Sequence, residues 1–372
     1  MYLEQLSLVN FKNLEEVDLL FSPDLNCFIG NNGTGKTNLM DAIYYLSFCK
    51  SFLNSSDSLS IRHEEDFFVI QGTFHRFDQD EFISCGLKSG GKKSFRRNKK
   101  EYRRLSEHIG LLPLIVVTPS DIDLIMGGSE ERRKFLDVLI SQYDKTYLDQ
   151  LIRYNRALEQ RNKLLKQFAS EHFFREDMLE VWDDQLIRYG LQIHAKRMDY
   201  IKKLQPVFQK YYEFISLGSE QIGMIHRSQL YDGEFAALLR ENLQKDRILQ
   251  FTSVGVHKDD ILFNLGNYPI KKLGSQGQKK TYLVALKLSQ FDFIKELSGL
   301  TPILLLDDIF DKLDKHRVEQ IVKLVADDHF GQIFITDTNR EHLDRMIREI
   351  SAGAKIFQVS NGTVKETDHE EK

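Results

Sequence analysis

Alternating apolar and polar residues open the chain and predict β-structure. Residues 2–9 and 14–21 follow a period of two on either side of the segment FKN, which is typical of two strands joined by a turn. A short, mainly apolar run at 25–29 leads into a glycine-rich segment, and residues 38–48 have the length and apolar spacing of a helix. Alternation returns on both sides of HRFDQD (75–80), which predicts a hairpin within residues 67–87.

Long amphipathic helices are predicted from Ser129 to about residue 250. Ser129 is followed by two glutamates, which is typical of a capped helix start. Heptads are not sustained over several repeats, so a long coiled coil is not expected. Apolar residues recur at helical spacing and are expected in a core rather than in a ligand site: Leu151, Tyr154, Leu158, Leu165 and Phe168.

Strand and helix patterns alternate again after residue 251. ILFNL, ILLL and QIFIT are strand-like runs separated by helical segments, and KIFQVSNGTV predicts a last strand or hairpin. The sequence therefore predicts the α/β fold class, with two lobes. Residues 1–128 and 251–372 are expected to form one lobe with mixed sheets, and residues 129–250 an inserted, mainly helical lobe.

The composition of the chain restricts the number of compact units and the cellular location that can be expected. The 372 residues, 41% of them hydrophobic, are enough for more than one compact unit. Cys27, Cys49 and Cys85 are too far apart for paired metal-ligand spacing, which favours a reducing, cytoplasmic location over a disulfide framework or a zinc ribbon. The sequence has no recognisable signal peptide and no apolar run long enough to cross a bilayer, so no membrane partner is expected.

The net charge of -4 excludes binding of nucleic acid over the whole surface, so any phosphate contact must be local. One basic cluster contains Glu101 as its only acid, with Phe95 and Tyr102 interleaved. Its cations are Lys92, Lys93, Arg96, Arg97, Lys99, Lys100, Arg103 and Arg104. Two interpretations stay open: a solvated, lysine-rich hairpin or loop, and a local DNA contact.

The segment GNNGTGKT at residues 30–37 has the pattern of a Walker A loop. Gly30, Gly33 and Gly35 allow the backbone to turn its N–H groups towards phosphate oxygens at the start of a helix. Lys36 is expected to reach the β- and γ-phosphates of ATP, and Thr37 to offer its hydroxyl to Mg²⁺. Because the loop lies between a predicted strand and a predicted helix, a chance match is disfavoured.

A second acidic element follows in ILLLDD at residues 303–308, an apolar strand that ends in two aspartates. This pattern predicts a Walker B strand. Asp307 is expected to hold Mg²⁺ through water, and Asp308 to polarise the attacking water. The alternative explanation of a strand-terminal Asp pair is turn formation.

The segment LGSQGQKK at residues 273–280 precedes a predicted helix. Ser275 and Gly277 could therefore present a hydroxyl and backbone N–H groups to a second phosphate. One nucleotide does not need two such elements in one subunit, so this pattern suggests that Ser275 and Gly277 contact the ATP of a partner subunit. The alternative is a simple helix cap.

Taken together, these motifs resemble those of the ABC-type ATPases of the SMC branch. Four segments are more closely similar to the RecF family: LSLVNFKNL near the start, residues 111–137, residues 252–263, and residues 273–290. The resemblance implies a DNA-binding ATPase that hydrolyses ATP slowly and forms an ATP-dependent homodimer on DNA. It also implies a role in repairing gaps near single-strand to double-strand junctions and maintaining replication forks, by helping to load recombinase with RecO- and RecR-like partners.

The resemblance assigns further residues, with ATP and Mg²⁺ as cofactors. Lys12 would approach the nucleotide, although the family usually has Arg there. Ser275, Gly277 and Gln278 would contact the γ-phosphate held by the partner subunit, and Asp314 would lie in a D-loop that joins the two subunits. The phosphate loop would comprise Gly30, Asn31, Asn32, Gly33, Thr34, Gly35, Lys36, Thr37 and Asn38.

Two departures from ABC-type ATPases predict a slow enzyme. Asp308 stands where many of them have a longer Glu, and Asp337 or Thr338 stands near the position of the switch-loop His of transporters. A nucleotide-binding subunit of a membrane transporter is the main alternative, and it predicts a signature of the LSGGQ type instead of SQGQ. A small-molecule P-loop kinase is a second alternative, and it would need neither SQGQ nor a dimer.

Overall fold

The computed structural model describes residues 1–218, 220–310, 315–325, 328–338 and 353–367. Its helices are α1 (Lys36–Phe48), α2 (Ile122–Met126), α3 (Ser129–Tyr143), α4 (Lys145–Ser170), α5 (Asp177–Ser216), α6 (Phe235–Glu241), α7 (Leu243–Leu249), α8 (Ile270–Leu273), α9 (Gln276–Ser298) and α10 (Lys315–Val325). Its strands are β1 (Tyr2–Phe11), β2 (Leu14–Leu20), β3 (Leu25–Ile29), β4 (Phe67–Arg76), β5 (Gln79–Lys88), β6 (Ser94–Arg97), β7 (Lys100–Glu101), β8 (Leu114–Val117), β9 (Ile222–Arg227), β10 (Asp260–Leu265), β11 (Tyr268–Pro269), β12 (Ile303–Asp307), β13 (Ile333–Asp337), β14 (Lys355–Ser360) and β15 (Thr363–Thr367).

The chain divides into two compact units. The first contains Met1–Asp121, Phe214–Leu217 and the described residues from Lys280 onward, and the second contains Ile122–Glu213 and Gly218–Lys279, apart from residue 219. The boundary between the two units, expected at residue 250, lies at residue 279. The reason is that β10 pairs with β9 across its full length, which joins residues 260–265 to the second unit.

An antiparallel sheet in the first unit has the strand order β2-β1-β4-β5-β6-β7. The alternation in the sequence corresponds to alternating burial along β4 and β5, so the predicted strands and their hairpin are confirmed. The turn is shorter than the segment HRFDQD suggests, because the two strands leave only Phe77 and Asp78 between them. Both of these residues have positive φ angles, 48° and 57°, as a two-residue turn requires.

A second, mixed sheet in the first unit has the order β15-β14-β3-β13-β12-β8. β14, β3, β13, β12 and β8 are parallel, while β15 pairs antiparallel with β14 in the predicted last hairpin. Every residue of β3, β12 and β13 is buried, which explains their nearly continuous apolar sequences. Because parallel strands end at the same edge of a sheet, the residues that follow β3 and β12 share an edge, with β13 between them.

The second unit contains long helices and a small sheet. α3 begins at Ser129, but its cap position is occupied by Gly128 without a side-chain hydrogen bond, so the predicted cap by Ser129 is wrong. On α4, Tyr154, Leu165 and Phe168 are buried, as the helical stripe predicts. The sheet, in the order β11-β10-β9, was not anticipated within this unit because its main strands are distant in sequence.

Among the described helices, none combines the length and apolar character that crossing a membrane requires.

Candidate functional site

The loop between β3 and α1 is shaped by glycines. Gly33 and Gly35 have φ angles of 80° and 119°, in the left-handed region that favours glycine. A Cβ atom on Gly35 would lie only 2.9 Å from Oδ1 of Asn13, and a Cβ on Gly30 would overlap the carbonyl oxygen of Val359. Gly33 is therefore restricted by its backbone angle, Gly30 by the space available, and Gly35 by both, in a turn that leads directly into a helix N-terminus.

Lys36, the first residue of α1, is folded against this loop. Its Nζ donates hydrogen bonds to the carbonyl oxygens of Gly30, at 2.7 Å, and Asn31, at 3.1 Å. Only 4% of the residue is exposed, although it carries a charge. The hydroxyl of Thr34 donates to the Asn31 carbonyl oxygen at 2.9 Å, which tightens the same turn.

Two turns of the first unit support the loop from outside. The Asn13 side chain accepts a hydrogen bond from Nδ2 of Asn38 at 2.7 Å and donates to the carbonyl oxygen of Gly33 at 3.4 Å. The backbone N–H of Gly362 donates to the carbonyl oxygen of Thr34 at 3.2 Å. Sequence reasoning did not assign a role to Asn13, and the only available signal was its place in the short FKN turn.

The end of β12 meets the start of α1. The Thr37 hydroxyl lies 3.0 Å from both carboxylate oxygens of Asp307, to which it donates. Thr336 on β13 donates from its hydroxyl to Oδ1 of Asp307 at 2.8 Å and accepts a hydrogen bond from the backbone N–H of Asp308 at 2.9 Å. The chain therefore brings the residues predicted for the Walker A and Walker B motifs together.

Thr336 is, like Asn13, a residue of the site that the sequence motifs did not predict. The sequence directed attention to Asp337 and Thr338, but the side chain that contacts both acidic residues is the preceding threonine. Its importance follows from the strand order, because β13 lies between β3 and β12. A polar residue near the end of the apolar run IFIT was the available signal.

The environment of Asp307 is suited to a cation. Burial raises the pKa of this carboxyl group above its usual range, and the negative charge of Asp308 adds to the effect, while the hydroxyls of Thr336 and Thr37 and the charge of Lys36 oppose it. A bound cation would offset the cost of keeping the buried carboxylate ionised. Carboxylate and hydroxyl oxygens are the ligands that Mg²⁺ prefers, so Thr37 and Asp307 fit this ion.

An open pocket of about 150 Å³ lies over the loop. Its lining consists of Asn32, Gly33, Gly35, Lys36, Thr37, Asn38 and Asp308. Backbone N–H groups, one ammonium group and an acid at the rim are appropriate for phosphate groups. The volume is below the range of about 300–1,000 Å³ that encloses a whole small-molecule ligand.

Comparisons with known proteins agree with this architecture. The family described as RecF/RecN/SMC N terminal domain matches residues 2–365. The DNA replication and repair protein RecF of Phocaeicola vulgatus is 55% identical over 369 residues, which cover 98% of each chain. The chain belongs to the RecF family.

Solved structures extend the comparison to the fold. A structure of the recombination mediator protein RecF with ATP, in the RecFOR pathway, is 31% identical with a TM-score of 0.89, and it covers 99% of this chain and 98% of that one. An Smc head bound to the C-winged helix domain of ScpA has 16% identity and a TM-score of 0.59, over 100% and 98% of the two chains, and shows the fold alone. The predicted α/β fold class of the RecF and SMC-head type is confirmed.

In this RecF-family chain, Lys12 lies beside the phosphate loop rather than in the lining of its pocket. Its Nζ forms an ion pair with Oδ2 of Asp41 on α1 at 2.6 Å, and both side chains are buried. Burial lowers the pKa of the Lys12 ammonium, whereas the Asp41 carboxylate raises it. Asp41 also accepts hydrogen bonds from the Ser51 hydroxyl and the Phe52 N–H. A contact between Lys12 and nucleotide stays a prediction.

The residues of the RecF-like signature lie at the start of α9. The Ser275 hydroxyl accepts a hydrogen bond from the backbone N–H of Gln278 at 3.1 Å, and the Gln278 side chain accepts one from the N–H of Ser275 at 2.9 Å. This reciprocal pair is a capping box. Gly277 lies within the same first turn, and Nε2 of Gln278 also donates to Glu220 at 2.8 Å. Asp314, the predicted D-loop residue, lies outside the described residues.

The basic cluster forms the β6–β7 end of the antiparallel sheet. Lys93 points inward, where its Nζ contacts Asp57 at 2.6 Å and the carbonyl oxygen of Cys49 at 2.7 Å. Arg97 is paired with the buried Glu81. The remaining cations are exposed: Lys92, Arg96, Lys99, Lys100, Arg103 and Arg104. The structure thus separates two structural cations from a set of six that solvent reaches.

Proposed function

We propose that the protein is a DNA-binding ATPase that dimerises on DNA in the presence of ATP and hydrolyses ATP slowly. It acts in recombinational repair of gaps and in replication-fork maintenance, by helping to load recombinase. The observation that carries this proposal is the convergence of Lys36, Thr37 and Asp307 at one edge of the mixed sheet. The ATP-bound RecF of the RecFOR pathway, which shares the fold and 31% of its residues, supports the same assignment.

The phosphate loop provides the binding groups. The glycine-shaped turn leaves backbone N–H groups for the phosphates, and Lys36 exchanges its two loop carbonyl partners for phosphate oxygens. Thr37 and Asp307 would hold Mg²⁺, and this ion would neutralise charge on the transferred phosphoryl group. Asn31, Asn32, Thr34 and Asn38 complete the loop, and Asn13 keeps it in position.

Asp308 orients the attacking water. Its backbone φ of 45° and the hydrogen bond from its N–H to Thr336 define where its short side chain begins. An Asp reaches one methylene less far than the Glu of faster ABC-type enzymes, so the water is held less closely. A slow reaction suits a protein whose ATP-bound form must persist on DNA.

A partner subunit completes the nucleotide site. The pocket of about 150 Å³ is too small to enclose ATP, which supports a contribution from a second surface. Ser275, Gly277 and Gln278 lie at the N-terminus of a helix of 23 residues, where backbone N–H groups and the helix dipole favour an anion. We assign these residues to the γ-phosphate of the partner's ATP, and Asp314 to the junction between subunits.

The six exposed cations on and beside the β6–β7 hairpin bind the DNA backbone. Their charge is concentrated on one sheet end in a chain whose net charge is -4, which gives a local rather than general attraction for phosphates. Such contacts carry no base sequence information, so double-stranded DNA and single-strand to double-strand junctions are bound without sequence preference. The RecFOR relative supports RecO- and RecR-like proteins as partners. The scarcity of cysteine in the sequence favours a cytoplasmic location.

The decisive test is steady-state ATP hydrolysis with and without double-stranded DNA at low salt. We expect slow turnover that DNA stimulates, and no turnover in Lys36→Ala. Lys365→Ala, which removes an exposed lysine from β15, is the matched control and should behave as the wild type. Hydrolysis that is indifferent to DNA would overturn the proposal and would favour a transporter subunit or a small-molecule kinase.

A further inference from the structure

Three potential metal ligands converge in the second unit, from elements that are distant in sequence. His194 lies on α5, His226 on β9, and Asp259 immediately before β10. One ligand atom from each lies within 4.8 Å of the other two. The strands bring the second and third residues together, because His226 is paired with Ile261, two residues beyond Asp259.

Each of the three residues has one buried side-chain atom without a hydrogen-bond partner among the residues that the structure describes. These atoms are Nδ1 of His194, Nε2 of His226 and Oδ1 of Asp259. Nε2 of His226 also lies 3.3 Å from the other carboxylate oxygen of Asp259, Oδ2. Buried polar atoms are almost always satisfied, so three unsatisfied atoms on three neighbouring side chains require an explanation.

The surrounding residues fix which atoms face inward. The Tyr231 hydroxyl lies 2.9 Å from Nδ1 of His226, which reserves that nitrogen and leaves Nε2 for the cluster. Arg197 donates to Oδ2 of Asp259 at 3.0 Å, which leaves Oδ1. Such outer contacts orient metal ligands in known sites.

We propose that His194, His226 and Asp259 bind a divalent transition-metal ion, with Zn²⁺ as the best match. Two imidazole nitrogens and one carboxylate oxygen are ligands that Zn²⁺ accepts, whereas Mg²⁺ and Ca²⁺ prefer oxygen alone. A water molecule would take the fourth position of a tetrahedral site. Bonds of about 2.0–2.1 Å place tetrahedral ligands roughly 3.4 Å apart, so the side chains close slightly around the ion.

The site has a structural consequence that is independent of nucleotide chemistry. All three ligands belong to the second unit, and the ion joins α5 to the β9–β10 pair. A metal ion that binds the folded chain but not the unfolded chain stabilises the folded state by mass action. We therefore expect Zn²⁺ to raise the midpoint of thermal unfolding of the nucleotide-free protein.

The test is competition for Zn²⁺ between the full-length protein and a chromophoric chelator, with Co²⁺ absorption spectra as a second readout. The wild type should bind one ion per chain. Loss of an outer-shell partner costs about 10–100-fold in metal affinity, so removing a ligand in His194→Gln or His226→Gln should weaken binding by at least about 100-fold. His63→Gln is the control, because that side chain is 96% exposed and outside the cluster.

The outcomes are distinct. Wild-type Zn²⁺ affinity in both cluster variants, or no uptake by the wild type, would overturn the proposal. If His226→Gln does not fold, His194→Gln still decides the matter, because its side chain is partly exposed and the circular dichroism spectrum verifies its fold. Loss of the Zn²⁺-dependent thermal shift in His194→Gln, with the shift retained in His63→Gln, would support the site.

Discussion

The salt dependence of DNA binding provides a quantitative test of the basic cluster. Lys99 and Lys100 lie at the tip of the β6–β7 hairpin, where Asn98 and Lys99 have positive φ angles of 49° and 68°. Both lysines are exposed, so each can contact a phosphate. The double variant Lys99→Gln/Lys100→Gln keeps the polar stems and removes two charges.

The expected effect follows from counterion release. Each phosphate contact contributes about 0.9 to the slope of log affinity against log salt concentration, so the variant should lose about 1.8 from this slope. Raising the salt from about 50 to about 200 mM should consequently weaken the wild type about tenfold more than the variant. ATP binding should be unaffected, because neither lysine lines the phosphate pocket.

Fluorescence anisotropy with labelled double-stranded DNA and ATP, across a series of salt concentrations, measures the slope. Lys93→Gln is the matched control, since it also removes a lysine from the cluster but breaks the internal contacts to Asp57 and Cys49. It should lower the thermal midpoint and leave the slope unchanged. A wild-type slope in the double variant would refute the assignment of the hairpin to DNA.

Three further predictions concern single residues. Gly35→Ala should abolish nucleotide binding in a titration with fluorescent ATP, because its φ of 119° and the nearby Oδ1 of Asn13 exclude a Cβ. Asp307→Asn should end hydrolysis yet raise the thermal midpoint without Mg²⁺. The pKa of Asp307 is raised in the folded state, so ionisation of its carboxylate destabilises the fold as pH rises. Because Asn does not ionise, the higher thermal midpoint of the variant should approach that of the wild type at acidic pH. Burial lowers the pKa of His257 to about 4. The wild type should therefore lose up to about 3 kcal/mol of unfolding free energy as pH falls from about 6.5 towards 4, because the unfolded chain takes up this proton first. The free energy of unfolding of His257→Gln, measured in urea, should not show this loss.

Much of the candidate phosphate site was predictable because its requirements are local. Gly33 and Gly35 of GNNGTGKT are required by their own backbone angles, and the apolar runs before the loop and before Asp307 are long enough to identify buried strands. Their meeting follows from the parallel order of the strands. A sequence pattern alone therefore identified Lys36, Thr37 and Asp307, which the structure brings together.

Features that depend on distant partners were not predictable. The role of Thr336 arises only once β13 lies between two other strands, and Asn13 contacts a loop that is twenty residues away. Similarly, the charge run Lys92 to Arg104 contains no indication that Lys93 and Arg97 point towards acids. The boundary at 250 shifted because strand pairing, which is non-local, decides unit membership.

The central claim, an ATP-dependent dimer on DNA, is tested most directly by measuring the mass of the protein in solution with and without ATP and double-stranded DNA. We predict a monomer without ATP, a dimer with ATP and DNA, a longer-lived dimer in Asp308→Asn, and no dimer in Lys36→Ala. Asp308→Asn should prolong the complex because it removes the group that orients water while leaving Lys36, Thr37 and Asp307 in place. A monomer under every condition, or a dimer that is indifferent to ATP and to Lys36→Ala, would contradict the claim.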